Sequence, residues 1–505
     1  MRKLFTTTII LAIISTGYPG ASGAQTRSVG IFQDHADVGN PSLKGNVVYN
    51  SNEQTYLMSA AGKNVWARED QFHFMWRKIK GDFIVKATVR FLGKGVAGHR
   101  KLGVMARDKL TTDSRYIDGT FHGGQPLLTS MQYRASDGDT TGQLIISSIH
   151  PTEIEFERKG NQFTFSAATY GENYKTVSRE FDLNEEAFVG LYLCSHVDTV
   201  IERAVFSNVR IIIPPRPDYR PYTDYIGSNL EVMDIATGHR KVLHTASNSL
   251  QAPNWTPDNK YLLYSSDGLL YKYDLKTAAI SKVNTGPVND LNNDHVLSFD
   301  GSMLGISNHL GNRSVIYTLP STGSDNPQQI TSDSLAPSYL HGWSPDKKRL
   351  IFTGQRKGQW DIWAIDIDTK KETNLTNNPT LDDGSEYTPN GQWIYFNSTR
   401  TGTMKIWRMR PDGSHQEQIT FDEYNDWFPH ISPDGKWIVY ISFPQDIDPN
   451  SHPFYKKVYI RLMPAAGGVP RNIAYVFGGQ GTINVPSWSP DSKKIAFISN
   501  TDTLK

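Results

Sequence analysis

Residues 430–442 read HISPDGKWIVYIS and combine a tight turn with an extended segment. Proline suits the second position of a β-turn, aspartate hydrogen-bonds to nearby backbone, and glycine tolerates positive φ. The segment Trp437–Ser442 that follows is rich in β-branched and aromatic residues, which favours a strand. Residues 430–442 are therefore predicted to form a strand, a turn and a second strand.

The same pattern occurs five more times along the chain. The copies are NWTPDNKYLLYSS (254–266), VLSFDGSMLGISN (296–308), GWSPDKKRLIFTG (342–354), EYTPNGQWIYFNS (386–398) and SWSPDSKKIAFIS (487–499). The residues in the proline slot, at 257, 299, 345, 389, 433 and 490, are 42, 46, 44, 44 and 57 apart. A second strand pattern, such as DIWAIDIDT at 361, lies between the copies. Each repeat therefore amounts to about four strands, the content of one propeller blade.

The ends of the repeat region complement each other. The last copy reaches the C-terminus without its outer strands, while an unmatched outer half, NLEVMDIATGHRKVLH, stands at 229–244 before the first copy. Pairing the two halves would complete a sixth blade and remove exposed sheet edges. We predict a six-bladed β-propeller, over residues 223–505, closed by its N- and C-terminal blade halves.

The first part of the chain shows strand alternation without this repeat. In DFIVKATVRF (82–91) apolar residues alternate with Lys86, Thr88 and Arg90, and EIEFERKGNQFTFSAA (153–168) is typical of a hairpin. Short strands without a long helical pattern predict an antiparallel β-sandwich over 25–213. The proline-rich residues 214–222 are predicted to be a stiff linker, and the whole chain is expected to be all-β.

The N-terminus and the composition narrow the class of protein. Arg2 and Lys3, the apolar Leu4–Ile14 and a small residue at Ala24 predict a signal peptide over 1–24, with a mature protein that is periplasmic or secreted. The apolar run is shorter than the ~20 residues of a membrane span, and no transmembrane segment is expected. With 52 Lys+Arg against 51 Asp+Glu, nucleic acid is not an expected partner. The single Cys194 permits no internal disulfide and is expected to be a core residue. We expect a monomer.

The repeated Ser/Thr-Pro-Asp-Gly-Lys pattern, with its predicted closure, resembles the TolB-like six-bladed propeller family, which carries WD40-like Pro-Asp repeats. The resemblance covers about residues 222–505; it departs at Phe299, which replaces proline, and at the insertion 444–456. GKNVWAREDQFHFMWRKIKGDFIVKATV (62–89) with KLGVMARD (101–108) resembles concanavalin A/laminin G-like sandwiches of exported glycan-acting proteins. The resemblances imply a propeller fold and a domain of a kind that often binds carbohydrate.

Innermost propeller strands line the central channel, so the residues that precede each Pro-Asp turn are expected to meet at one channel mouth. The predicted ligand-binding residues there are Asn293, Asp294, His295, His341, Asp382, Asp383, Glu386, Asp426, Trp427, His430, Gln480 and Asn484. His295, His341 and His430, with a nearby carboxylate, could hold Mn, Zn or Fe. Alternatively, these side chains hydrogen-bond between blades and hold water.

In the sandwich, Trp66, His73 and Trp76 are candidates for stacking on sugar rings. The alternative is that this stretch packs in the core, which is favoured for Phe72 and Phe74.

Two functions fit these residues. The first is an exported protein that binds a glycan or protein partner through the propeller mouth and the lectin-like sandwich. The alternative is a metal-assisted, glycan-active enzyme, a lyase or hydrolase, with its site at the mouth. The sequence assigns no catalytic residue, since it contains no G-x-S-x-G elbow and no appended α/β domain follows the repeats.

Overall fold

The computed structural model describes residues 28–125, 127–147, 150–311, 313–335 and 337–502. The predicted signal peptide, 1–24, lies outside these residues. Within them the chain is all-β apart from a single 3-10 turn at Asp333–Leu335. No helix in the described part is long and apolar enough to cross a membrane.

The described residues of the N-terminal part form fifteen strands. They are β1 (Asp34–Val38), β2 (Asn46–Asn50), β3 (Thr55–Ala60), β4 (Asn64–Trp66), β5 (Glu69–Lys80), β6 (Phe83–Leu92), β7 (Lys101–Arg107), β8 (Tyr116–His122), β9 (Thr129–Arg134), β10 (Gly142–Ser147), β11 (Glu153–Lys159), β12 (Gln162–Ala168), β13 (Lys175–Glu180), β14 (Glu186–Cys194) and β15 (Glu202–Ile212).

These strands form two antiparallel sheets. One has the order β1-β5-β14-β7-β8-β9-β10, with β4 also paired to β5, and the other has the order β13-β12-β11-β6-β15-β3-β2. A single hydrophobic cluster draws residues from both sheets, including Phe83 and Phe156 from the second and Leu102 and Val189 from the first. Burial of these alternating side chains between the sheets is the main stabilising contribution to this domain.

Twenty-three strands, β16 to β38, occur in the part of the C-terminal region that the structure describes. They are β16 (Ser228–Asp234), β17 (Arg240–Ala246), β18 (Gln251–Trp255), β19 (Tyr261–Ser266), β20 (Leu269–Asp274), β21 (Ile280–Lys282), β22 (Leu291–Leu297), β23 (Met303–Leu310), β24 (Arg313–Pro320), β25 (Gln328–Gln329), β26 (Ser338–Trp343), β27 (Arg349–Arg356), β28 (Gln359–Asp366), β29 (Glu372–Asn374), β30 (Asp382–Tyr387), β31 (Ile394–Ser398), β32 (Lys405–Met409), β33 (Glu417–Gln418), β34 (Asn425–Ile431), β35 (Trp437–Phe443), β36 (Lys456–Pro464), β37 (Arg471–Gly478) and β38 (Lys494–Asn500).

These strands form six sheets, the blades of a propeller, so the predictions of an all-β chain and of six blades are confirmed. Blades one to five are the four-stranded sheets β18–β21, β22–β25, β26–β29, β30–β33 and β34–β37. In the sixth sheet β38 pairs with β16 from Ser228 opposite Asn500 to Asp234 opposite Lys494, and β16 pairs with β17. The first strands of neighbouring blades contact each other, which makes them the innermost strands of the ring.

The repeated turn has a local hydrogen-bond network that explains its sequence. In blade five, Ser432 donates its hydroxyl to Asp434 (2.6 Å) and accepts the amide of Trp437 (3.0 Å). Blade two keeps the network, because Ser298 donates to Asp300 (2.7 Å) and accepts the amide of Met303 (3.0 Å). The serine and aspartate hold the turn in both blades, so the turn persists in blade two without proline.

The two parts of the chain are joined by a buried contact surface. Tyr174 stacks on Tyr475 with ring centroids 3.7 Å apart. On the outer face of β6, Ile84 packs in a cluster with Phe454 and Phe477 of blade five. The second sheet of the N-terminal part therefore supports blade five and the insertion before β36.

Candidate functional site at the propeller mouth

The innermost strands of the propeller begin at a cavity of about 850 Å³. Asn293 of β22, His341 of β26 and Asp383 of β30 line it. Tyr222, at the end of the linker, and Tyr225, just after it, contribute to the wall of the cavity. The insertion in blade five contributes Asn450, His452 and Phe454. The mouth is therefore built from the ring and from two segments outside the repeat.

Seven of the twelve predicted mouth residues line this cavity. They are Asn293, Asp294, His341, Asp383, Trp427, Gln480 and Asn484. The remaining five, which do not line it, are His295, Asp382, Glu386, Asp426 and His430. Glu386 instead lines a second cavity of about 370 Å³, together with the turn prolines Pro257, Pro389 and Pro433.

Whether a predicted residue lines the cavity depends on its position along its innermost strand and on the register of that strand. Each strand leads from the mouth toward its Pro-Asp turn, so residues next to the turn lie farther from the mouth. The pairing register also shifts within these strands, between Asp383 and Glu386 in β30 and between Trp427 and His430 in β34. Phe428, at the second shift, has φ of 54° and lines the cavity. Such bulges change the direction of the side chains that follow them. The number of residues between a side chain and the Pro-Asp turn therefore does not predict whether that side chain faces the cavity.

Asp383 is the centre of a polar cluster in the cavity. His341 Nε2 lies 3.0 Å from Asp383 Oδ1, and Thr353 donates its hydroxyl to the same oxygen at 2.6 Å. His452 Nε2 lies 3.8 Å from the other oxygen, Oδ2. Burial alone would raise the pKa of Asp383, but its contacts with His341 and Thr353 and the nearby His452 outweigh it and lower the pKa to about 2. Asp383 is therefore ionised across the physiological pH range.

Asp294 is another carboxyl group of the cavity and is buried, only 6% exposed. Burial raises its pKa to about 7, and the negative charge of Asp383 adds to the increase, whereas His341 and Asn292 oppose it. Two carboxyl groups in one cavity thus differ widely in acidity, because only Asp383 is compensated by close imidazole and hydroxyl contacts.

Asp382 and Asp426 have structural contacts instead of facing the cavity. Arg400 Nη2 lies 3.0 Å from both carboxylate oxygens of Asp382. Ser442 donates its hydroxyl to Asp426 at 2.6 Å. These two side chains make their contacts within blades four and five, not between blades.

The three histidines predicted as metal ligands do not form a common site. His430 has Nδ1 2.6 Å from Glu386 Oε2 and Nε2 2.7 Å from the carbonyl oxygen of Ile483. His295 is buried, which lowers its pKa to about 4. Within the described ranges no group of three or more His, Cys, Asp or Glu side chains is arranged to hold a metal ion. Each of these histidines therefore has separate surroundings, and the described structure does not bring the three imidazoles together.

Several residues of the mouth were missed by reasoning from the sequence. They are Tyr222, Tyr225, Tyr339, Trp360, Phe428, His452 and Phe454. The half-buried rings of Tyr339 and Trp360 lie 5.9 Å apart at the entrance to blade three. The 57-residue spacing pointed to the insertion, but only packing shows that it reaches the mouth.

The N-terminal candidates for sugar stacking are mostly buried. His73 is 1% exposed and contacts Asp37 at 2.8 Å and His35 at 2.9 Å. Trp76 stacks on Phe74, and Trp66 is half-buried near the ammonium group of Lys101. Because His73 and Trp76 have no free ring face, these three residues do not form an exposed platform.

Phe72, Phe74 and Cys194 pack together in a hydrophobic cluster, as expected for core residues. Burial raises the pKa of the Cys194 thiol to about 11.

Residues 334–450 match the family described as the TolB beta propeller domain. Uncharacterized protein Atu1656 of Agrobacterium fabrum is 45% identical over 273 residues, which are 54% of this chain and 92% of that protein. A solved structure from Agrobacterium tumefaciens is of a protein described as a TolB. Its sequence is 43% identical, its TM-score is 0.53, and the match covers 55% of this chain and all of that one. TolB from Acinetobacter baumannii is 19% identical with a TM-score of 0.40, over 50% of this chain and 64% of that one.

Proposed function

The chain belongs to the TolB beta propeller family, and we propose that it is an exported binding protein that holds a glycan in the cavity at its propeller mouth. The observation that carries this proposal is the lining of the 850 Å³ cavity, in which aromatic rings and hydrogen-bonding side chains occur together. Small-ligand sites commonly have volumes of roughly 300–1,000 Å³.

The lining suits a sugar on two counts. The half-buried rings of Tyr339 and Trp360 offer apolar faces for the C–H face of a pyranose. Asn293, Gln480 and Asn484 supply amide groups that can donate to and accept from hydroxyl groups. A protein segment that enters the same mouth is the competing ligand, and the experiment below distinguishes the two.

We assign the N-terminal part a supporting role within this function. Its sequence resembles concanavalin A/laminin G-like sandwiches, yet the candidate stacking residues in it are mostly buried. Its contact with blade five, through Ile84 and Ile212 against Phe454 and Tyr455, fixes the insertion that carries His452. The predicted signal peptide would place the mature protein in the periplasm or outside the cell, where glycans are accessible.

A glycan array tests the proposal with two tryptophan variants. Trp360 lines the cavity, whereas the matched control Trp393 is also half-buried on a blade but lines a different groove. We expect W360A to weaken glycan binding about tenfold, since stacking contributes about 0.5–1.5 kcal/mol beyond area burial, and W393A to leave it unchanged. Absence of any bound glycan on the array, with binding to a peptide library instead, would refute the glycan and favour a protein ligand.

A further inference from the structure

We infer that the glycan held at the propeller mouth carries a free, positively charged amine, as an unacetylated amino sugar does. The inference deepens the proposed function and rests on it. The starting observation is the distribution of charge around the cavity. Four aspartates line it, Asp267, Asp290, Asp294 and Asp383. Among the described lining residues there is no lysine or arginine, although the whole chain has 52 of these residues against 51 acidic ones.

The side chains beside these carboxyl groups are mostly imidazole, hydroxyl and amide groups. Asp383 lies next to the imidazoles of His341 and His452 and accepts the Thr353 hydroxyl, and Asp267 accepts the side-chain amide of Asn248 at 2.7 Å. In the part of the chain that the structure describes, no lysine or arginine forms an ion pair with any of the four aspartates.

Two arginines outside the lining are paired with other carboxylates. Arg400 binds Asp382, and Arg356 binds Glu372 of the outer strand β29. These two arginines are thus committed elsewhere, and the cavity lining carries aspartates without lysine or arginine among its described residues. A cleft lined by one sign of charge concentrates ligands of the opposite sign.

The aromatic side chains of the cavity also favour a cation. The faces of tryptophan, tyrosine and phenylalanine rings attract ammonium groups, more strongly where water is excluded. Tyr339, Trp360 and Phe428 line the same cavity as Asp294 and Asp383. An amine that enters the mouth can therefore meet both carboxylates and ring faces.

Trp427 supplies an independent sign of a ligand. Its side chain is fully buried and lines the cavity, and its indole Nε1–H has no hydrogen-bond partner among the described residues. A buried donor without an acceptor is destabilising, and a ligand oxygen would relieve that cost. An amino sugar offers both groups, an amine for the carboxylates and hydroxyl oxygens for the indole. A uronate would place a carboxylate among aspartates and is disfavoured.

Calorimetric titration at pH 6.5 and low salt tests this inference with three tetrasaccharides. They are β-1,4-linked tetraglucosamine, its fully N-acetylated form, and tetragalacturonate. We expect the free amine form to bind about tenfold or more tightly than the acetylated form, because hydrogen bonds between charged groups are stronger than those of a neutral amide, and tetragalacturonate to show no binding. Tetralysine serves as a peptide probe that has amines but no sugar hydroxyls.

The variant D383N is expected to reduce the preference for the amine, whereas D412N, the same change in an exposed turn of blade four, should retain it. Equal binding of the amine and acetylated forms by the wild-type protein would overturn the inference and leave the proposed function standing. Binding of no glycan would overturn both. If tetralysine binds as tightly as tetraglucosamine, the claim that the ligand is a sugar would be overturned, and only the claim that it carries an amine would remain.

Discussion

Replacing Glu231 with glutamine tests how the two parts of the chain are held together. Glu231 is fully buried and accepts hydrogen bonds from Arg210 Nη2 (2.5 Å), Arg240 Nη2 (2.9 Å) and the Ser499 hydroxyl (2.5 Å). Arg210 belongs to β15 of the N-terminal part, whereas Arg240 and Ser499 belong to β17 and β38 of the sixth blade. One carboxylate thus connects the domain boundary with both ends of the propeller.

The expected loss of folding stability in E231Q follows from the lowered pKa of the Glu231 carboxyl group. Burial alone would raise the pKa of Glu231, but the guanidinium groups of Arg210 and Arg240 outweigh it and lower the pKa from its usual 4.5 to about 2. At about 1.4 kcal/mol per pKa unit, the ionised carboxylate stabilises the folded state by about 3 kcal/mol at pH 7. Loss of one partner from a buried ion pair typically costs about 3–5 kcal/mol, a similar figure.

Urea unfolding, followed by tryptophan fluorescence from pH 7 to pH 3, measures this contribution. Because the pKa of Glu231 is lowered in the folded state, its stabilisation is complete above pH 4.5 and declines as the pH falls toward 2. We expect E231Q to be about 3 kcal/mol less stable than the wild type at pH 7, with a smaller difference at pH 3.

The matched control is E53Q. Glu53 pairs with Lys241 at 3.0 Å across the same domain boundary, but its side chain is 52% exposed. Water screens this pair, so little change in stability is expected. An E231Q protein as stable as the wild type at pH 7, or a deficit that stays the same at pH 3, would refute the reasoning.

Three further predictions concern single side chains. Burial raises the pKa of Asp294 from 3.8 to about 7, so its ionisation opposes folding increasingly from pH 4 to pH 7; D294N should be up to about 4 kcal/mol more stable than the wild type at pH 8 in urea unfolding and similar at pH 4. Burial lowers the pKa of the His341 imidazole, but the contact with Asp383 raises it by more than burial lowers it. D383N should therefore bring the imidazole pKa below 6.5 in an NMR titration, and an unchanged pKa would contradict the pairing. The buried Cys194 thiol, with a pKa raised to about 11, should react with iodoacetamide at pH 8 only after unfolding, and fast alkylation of the native protein would show that the thiol is accessible.

The sequence alone was sufficient for the all-β class and the six blades, because the interactions that form the repeat are local. Ser432, Asp434 and Trp437 make the turn network within six residues of chain, and the same residue types recur at each turn. Interactions of this range depend little on the rest of the fold, so their pattern is visible in the amino-acid sequence.

The candidate site could be predicted only in part. Asn293, Asp294, His341, Asp383 and Trp427 were predicted at the mouth and line its cavity. His295 and His430 were predicted beside them and do not line it. Bulges in β22, β30 and β34 shift the alternation between the mouth and the turn, and a shift of one residue moves a side chain to the other face of a strand.

Only the tertiary structure decided what surrounds the mouth. Tyr222 comes from the linker and His452 from the insertion in blade five, more than two hundred residues apart in the chain. They line one cavity because the N-terminal part packs against blade five around Ile84 and Phe454. The acidity of Asp294 and Asp383 likewise depends on burial and on His341, which belongs to another blade. Repeated local hydrogen bonds determine the propeller, whereas the shape and charge of its mouth arise from contacts between distant segments.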